Sequence, residues 1–227
     1  MSARNIAVFY HCLFHNEKGV LLPSALRIIQ EQVGWMDQSG LTAAASEIHC
    51  GINGGPESEG LAEFTLPAKS TKTFHGLQCR NEIRTMLLME QWIATHPGWH
   101  VLYFHSKGAT QPLGDERSWK WRYCMMNNLV GEWEKCVRYL DSRYDSVGCH
   151  WLSPPFTPGN QHIWAGNFFW AKSDFLRTLP SIRDRDRIRL SGLDALESRF
   201  EAEVWIGNGP RLPRVMDFHT NGHGSCF

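Results

Sequence analysis

Apolar positions along the chain fall into two kinds of pattern. Ile6–Leu13 (IAVFYHCL) and Val101–Phe104 (VLYF) are unbroken apolar runs, short and rich in β-branched and aromatic residues. Such runs predict strands buried on both faces. Leu22, Leu26, Ile29, Val33 and Met36 recur at three- and four-residue spacing and predict a helix over 22–36, with Pro23 in its first turn. Thr42–Ile52 predicts a second strand, ended by Gly51, Gly54 and Gly55, then a loop over 53–70 and a short strand at Thr71–His75. Arg80–Ala94 predicts a helix with Ile83, Met86, Leu87 and Ile93 inward, stopped by His96-Pro97-Gly98 before the strand at 100–104. A polar loop over 109–118 leads into one long helix, Trp119–Leu140. Strands at Asp145–Leu152 and Gly166–Ala171, a short helix at Lys172–Leu179 and a last helix at Asp194–Ile206 follow, with 208–227 as a loop-like tail. Strands alternating with helices predict an α/β fold, one mainly parallel sheet with helices on both faces.

Composition narrows the function classes. The 227 residues suit one domain, and 42% hydrophobic content supplies a core. Lys plus Arg equals Asp plus Glu at 23 each, which argues against a broad nucleic-acid or anionic-membrane surface. No apolar run approaches the roughly 20 residues of a bilayer span. The seven cysteines are odd in number and lack C-x-x-C spacing, so reduced thiols and a cytoplasmic location are expected. Met1-Ser2-Ala3-Arg4-Asn5 carries no signal-peptide pattern.

The chemistry concentrates where the central strand stops. After Phe104 come His105, Ser106 and Lys107, then Gly108, which lets the backbone turn. Open α/β sheets hold ligands beyond the carboxyl ends of their strands, and a lysine there suits a phosphate. The plainer reading makes these residues the solvated end of a core strand. His162-Ile163-Trp164-Ala165-Gly166-Asn167-Phe168-Phe169-Trp170 sets aromatics beside a Gly-Asn pair, read either as a hydroxyl-binding edge or as a core strand. Glu197, Glu201 and Glu203 lie on the last helix, where a carboxylate serves as a general base or simply faces solvent. Asp184-Arg185-Asp186 is an Asp-x-Asp triplet, yet it lies in an alternating charge run that reads better as solvated surface. His11-Cys12, His49-Cys50 and Cys149-His150 each lie near a strand end, but nothing in their spacing requires a metal. G-x-G-x-x-G, G-x-x-x-x-G-K-S/T and G-x-S-x-G are all missing, which argues against dinucleotide, P-loop and serine-hydrolase chemistry.

Taken in order, Tyr103-Phe104-His105-Ser106-Lys107-Gly108, Trp119 and Arg122, Asp145-Ser146-Val147-Gly148, His162, and Gly166-Asn167-Phe168-Phe169-Trp170-Ala171-Lys172 resemble a group of small glycosyltransferase-like proteins of polysaccharide biosynthesis loci. The resemblance spans about residues 80–207. It implies a single-domain GT-A-like nucleotide-sugar fold whose first strand ends at the nucleotide, here near Tyr10 and His11. Where that fold carries an Asp-x-Asp metal motif this chain reads His105-Ser106-Lys107, which puts dependence on Mn²⁺ or Mg²⁺ in doubt. No cofactor is then required, because Lys107, with Arg122, neutralises the leaving diphosphate. The donor set expected is Tyr10, His11, His105, Lys107 and Arg122. His162, Trp164, Gly166 and Asn167 form the acceptor set. Glu203 and Glu201, by position in the fold, and His105 are the catalytic candidates. The implied activity is sugar transfer from a nucleotide-diphosphate donor to a glycan or other hydroxyl. The alternatives are a non-catalytic glycan- or nucleotide-binding module and a nucleotide-sugar hydrolase or pyrophosphorylase.

Overall fold

The structure, a computed structural model, describes residues 5–16, 18–77, 82–155, 157, 161–183 and 202–219. The first half of the chain runs β1 (Ile6–Leu13), α1 (Pro23–Gln38), α2 (Leu41–Ala44), β2 (Glu47–Asn53), α3 (Ser58–Thr65), β3 (Thr71–Phe74), α4 (Ile83–Ile93) and β4 (His100–His105). Then come α5 (Glu116–Met126), a π-helical turn (Asn127–Gly131), α6 (Trp133–Asp141), β5 (Ser146–Gly148), β6 (Trp151–Leu152), β7 (Ile163–Trp164), β8 (Phe169–Lys172), α7 (Ser173–Leu176) and β9 (Val215–Asp217). Seven strands form one sheet in the order β3-β2-β1-β4-β8-β5-β9. β1 pairs in parallel with both β2 and β4, and β8 alone runs antiparallel to its neighbours β4 and β5. This is the expected α/β architecture, one mainly parallel sheet with helices on both faces.

The continuous apolar runs are explained by cores on both faces. Ile6, Val8, Tyr10 and Cys12 of β1 pack in one cluster with α1, α5 and α6. Ala7 and Phe9 pack in the other, with α4 and α7. β2 lies on one side of β1 and β4 on the other, and α1 and α4 cover opposite faces. The chain therefore reverses its winding between β1 and β4, and a crevice opens beyond their carboxyl ends.

The sequence pattern and the structure part company in five places. Residues 42–44, expected in a strand, belong to a helix over Leu41–Ala44 that follows the turn of Gly40 at φ 77°, and strand pairing starts only at Glu47 opposite Ala7. The alanines favour the helix once Leu41 is buried. The loop over 53–70 contains α3. The long helix over 119–140 breaks at the π-helical turn, where Gly131 lies against Trp35 and Trp170 donates its indole N–H to the Leu129 carbonyl at 2.7 Å. The strand over 145–152 divides at His150, whose φ is 62°, into β5 and β6, and β6 pairs with β7 in a small separate ribbon. The tail carries β9, which pairs in parallel with β5. Asp145 fixes it there, accepting bonds from Arg211 at 2.7 Å and from the Arg214 guanidinium at 3.0 Å.

Two further points bear on the expectations above. Cys12, Cys50, Cys136 and Cys149 are free and buried, whereas Cys124 is disulfide-bonded, so the thiols are not all reduced. Among the described residues, no helix is long and apolar enough to cross a membrane.

Candidate functional site

The crevice between the ends of β1 and β4 opens into a cavity of about 780 Å³. His11 and His105 are paired in register on β1 and β4 and both line it. Their ends are tied by Ser106, whose N–H donates to the His11 carbonyl and whose hydroxyl accepts from the Leu13 N–H, both at 2.9 Å. Lys107 follows, and Gly108, with φ 89°, turns the chain away along the wall. Leu152 of β6, Ile163 of β7, and Ala165 and Gly166 just after it also line the cavity. Glu203 also lines the cavity.

Each polar group has a defined setting. The His105 Nε2–H donates to the Gly166 carbonyl at 2.9 Å. Burial, with the Lys107 charge beside it, holds His105 down to about 3, so its ring is neutral. The His11 ring bonds the Thr85 hydroxyl at 2.8 Å and is likewise held well below the usual histidine range, by burial first and then by His105 and His75. Lys107 Nζ sits over the Trp121 ring, 4.9 Å from its centre, and has no ion pair among the described residues. Arg117 lines the same cavity.

One residue that sequence reasoning missed stands out. Glu82, just before α4, lines the cavity and is 9% exposed. Its carboxylate accepts a 2.6 Å bond from the Tyr103 hydroxyl. Burial raises Glu82 to about 7, against the opposing pull of Tyr103, the Asn167 amide and Lys107. A glutamate at a helix start is an ordinary first-turn residue in sequence. Only tertiary contacts distinguish this one.

The expected donor set divides. His11, His105 and Lys107 line the cavity. Tyr10 does not: strand alternation turns it to the α1 face, where it is fully buried, stacks on Phe104 and donates to Gln32 Oε1 at 2.7 Å. Arg122 is consumed by a fork to Glu31, with both bonds at 3.1 Å, and by a 3.0 Å bond from Nη1 to the Lys107 carbonyl. It lines a smaller neighbouring cavity of about 280 Å³.

In the expected acceptor set, Gly166 borders the cavity and Asn167 lies behind it, fully buried at φ 53°. Gly166, at φ 87°, closes a tight turn with the Asn167 N–H on the Trp164 carbonyl at 2.9 Å. Its backbone approaches His105. Trp164 is a core residue, fully buried, with its indole N–H on the Ser146 hydroxyl at 2.9 Å, in space that Gly148 leaves open. His162 bonds Ser153 and stacks on Trp151, away from the cavity lining. Glu201 and the Asp184–Asp186 triplet lie outside the described residues.

At the end of β4 the cavity is lined by an imidazole, His105, and an ammonium, Lys107. Mg²⁺ and Mn²⁺ take oxygen ligands, which His105 and Lys107 do not supply. Among the described residues no group of three or more His, Cys, Asp or Glu side chains could hold a metal ion.

No curated protein matches the chain. Solved structures with a similar course of chain include 4-diphosphocytidyl-2C-methyl-D-erythritol synthase from Anaerococcus prevotii, at 10% identity and TM-score 0.43 over 88% of this chain and 82% of that one. A protein from Desulfovibrio desulfuricans described as a nucleotide-diphospho-sugar transferase aligns at 14% identity and TM-score 0.45, over 94% of this chain and 79% of that one. Glucosyl-3-phosphoglycerate synthase from Mycobacterium tuberculosis, in complex with UDP, aligns at 10% identity and TM-score 0.37, over 78% and 60% respectively. Likeness at this level does not carry function. A family model does match most of the chain, over residues 9–191, and the protein belongs to that family, described as a domain of unknown function, DUF8361.

Proposed function

We propose that the protein is a glycosyltransferase that takes a sugar from a nucleoside-diphosphate donor and passes it to a hydroxyl. The observation that carries this reading is Lys107. Its ammonium has no ion pair among the described residues and stands, with Arg117, in a large cavity at the reversal point of the sheet. A cation held ready there suits a diphosphate, whose negative charge grows as the sugar leaves. The neutral rings of His11 and His105 line the same wall and leave that positive charge in place. In the transfer, the acceptor oxygen bonds to the anomeric carbon, the bond from that carbon to the diphosphate oxygen breaks, and its electron pair leaves with the nucleoside diphosphate. The acceptor's proton passes to a base in the cavity.

The test is release of nucleotide from a panel of nucleotide sugars, with and without a hydroxyl acceptor, and with EDTA or Mn²⁺. We expect turnover of at least one donor, changed less than about twofold by EDTA, because the lysine takes the place of the ion. Thermal stabilisation by a donor with no turnover would instead make this a binding module. Release that no acceptor accelerates would make it a hydrolase.

A further inference from the structure

We propose that Glu82 is the group that takes the proton from the acceptor hydroxyl. The inference rests on the transferase reading above and deepens it by naming the base.

The geometry suits that role. A base must reach the cavity while remaining shielded enough to hold a proton near neutral pH. Glu82 lines the cavity wall yet is 9% exposed. One carboxylate oxygen is fixed by the Tyr103 hydroxyl at 2.6 Å, which sets the orientation of the group. The Asn167 amide acts on it from the turn before β8, and Lys107 from the end of β4. The two neutral histidines, His11 and His105, line the same cavity. Tyr103 is itself fully buried and held well above the usual tyrosine range by burial and by Glu82, so it stays a donor.

The competing carboxylates fit less well. Glu203 lines the cavity but is more exposed than Glu82. Asp115 caps α5, and hydrogen bonds from the Ser118 hydroxyl first and then the Ser118 N–H, at 3.0 Å, keep it below the ordinary aspartate range and make it a poor base. His105 has its Nε2–H committed to Gly166 and is too weakly basic, at about 3.

When the acceptor attacks, the O–H bond breaks and the proton moves to the Glu82 carboxylate. After product leaves, the carboxyl returns the proton to solvent. Glu82 must therefore be ionised in the free enzyme. Burial raises it to about 7, so activity should climb as pH rises through that value. Tyr103 donates to the charged form and lowers the midpoint, so Tyr103→Phe should move the climb to higher pH.

The experiment measures donor affinity by calorimetry, and kcat/KM against pH, for wild type, Glu82→Gln, Glu203→Gln and Tyr103→Phe. We expect Glu82→Gln to cut turnover about 10²- to 10⁴-fold while donor affinity changes less than about threefold. Tyr103→Phe should lower turnover far less than Glu82→Gln does and shift the acid limb upward. Turnover that survives Glu82→Gln, or is lost only in Glu203→Gln, overturns the assignment while leaving the transferase reading intact. An acid limb unmoved by Tyr103→Phe overturns it too, and does so even if Glu82→Gln fails to fold. A wild-type protein that binds no donor overturns the transferase reading first, and this inference with it.

Discussion

Tyr10 and His11 are neighbours on β1, yet the regions they face are built to opposite rules. On the Tyr10 side, Tyr10, Gln32 and Arg122 are each answered by another side chain or by backbone. Tyr10 bonds Gln32, which is itself fully buried, and Gln32 in turn donates to the His105 carbonyl at 3.0 Å. Arg122 is forked on Glu31 and donates to the Lys107 carbonyl. On the His11 side, the side chains of His105, Lys107 and Glu82 line a cavity. The sealed side thus grips the backbone of the two residues whose side chains line the open side. One region positions, and the other is open to a ligand. Lys107 and Arg122, both expected at the donor diphosphate, have divided these tasks.

The sharpest way to break that comparison is to remove each cation in turn. Arg122→Ala deletes a nearly buried fork, leaves Glu31 without its partner and frees the Lys107 carbonyl. Breaking such a pair from one side costs about 3 kcal/mol. For a chain of this size that is a fall of roughly 6–12 °C in melting temperature, readable by calorimetry. Lys107→Ala should leave the melting temperature nearly unchanged. It should weaken donor binding about ten- to a hundredfold, since a charge-assisted contact to phosphate is worth about 1.5–3 kcal/mol. If Lys107→Ala unfolds the protein and Arg122→Ala merely loosens donor, the division is reversed.

Tyr10→Phe probes the sealed side more gently. It keeps the stack on Phe104 but leaves Gln32 Oε1 without its donor in a fully buried place. The cost should be about 1–2 kcal/mol of stability in urea unfolding. Donor affinity should not change. A loss of donor affinity with stability intact would return Tyr10 to the donor site, where the end of the first strand had suggested it.

That misplacement shows what the sequence could and could not tell. β1 and β4 are legible because both faces are buried, so their apolar runs are unbroken. His105, Ser106 and Lys107 are legible because polar residues at the end of such a run have few reasons to be there. Alternation along β1 even requires Tyr10 and His11 to face apart. It does not say which face holds the cavity, because α1 and α4 are both amphipathic. The π-helical turn at Asn127–Gly131 is hidden by a three- and four-residue spacing that runs on past it. β9 is three residues long, and its pairing with β5 and the Asp145–Arg214 fork make it a strand. Glu82 is hidden for a similar reason: its meaning lies in Tyr103 and Asn167, distant in sequence.

The smallest effect concerns how Lys107 is aimed. Its ammonium lies over Trp121, whose ring lines the same cavity. An aromatic face attracts a cation by about 0.5–1 kcal/mol at a partly exposed place. It also leaves the ammonium's three hydrogens available, which a carboxylate partner would occupy. The ring therefore holds the lysine in place without neutralising it, which is what a diphosphate site needs and what Glu31 denies to Arg122. Trp121→Leu keeps an apolar wall beside Met125 and Gly166 but removes the face. Donor affinity should fall about two- to fivefold by calorimetry, with Lys107→Ala and Trp121→Leu together no worse than Lys107→Ala alone. Losses that simply add would mean that Trp121 touches the donor itself rather than acting through Lys107.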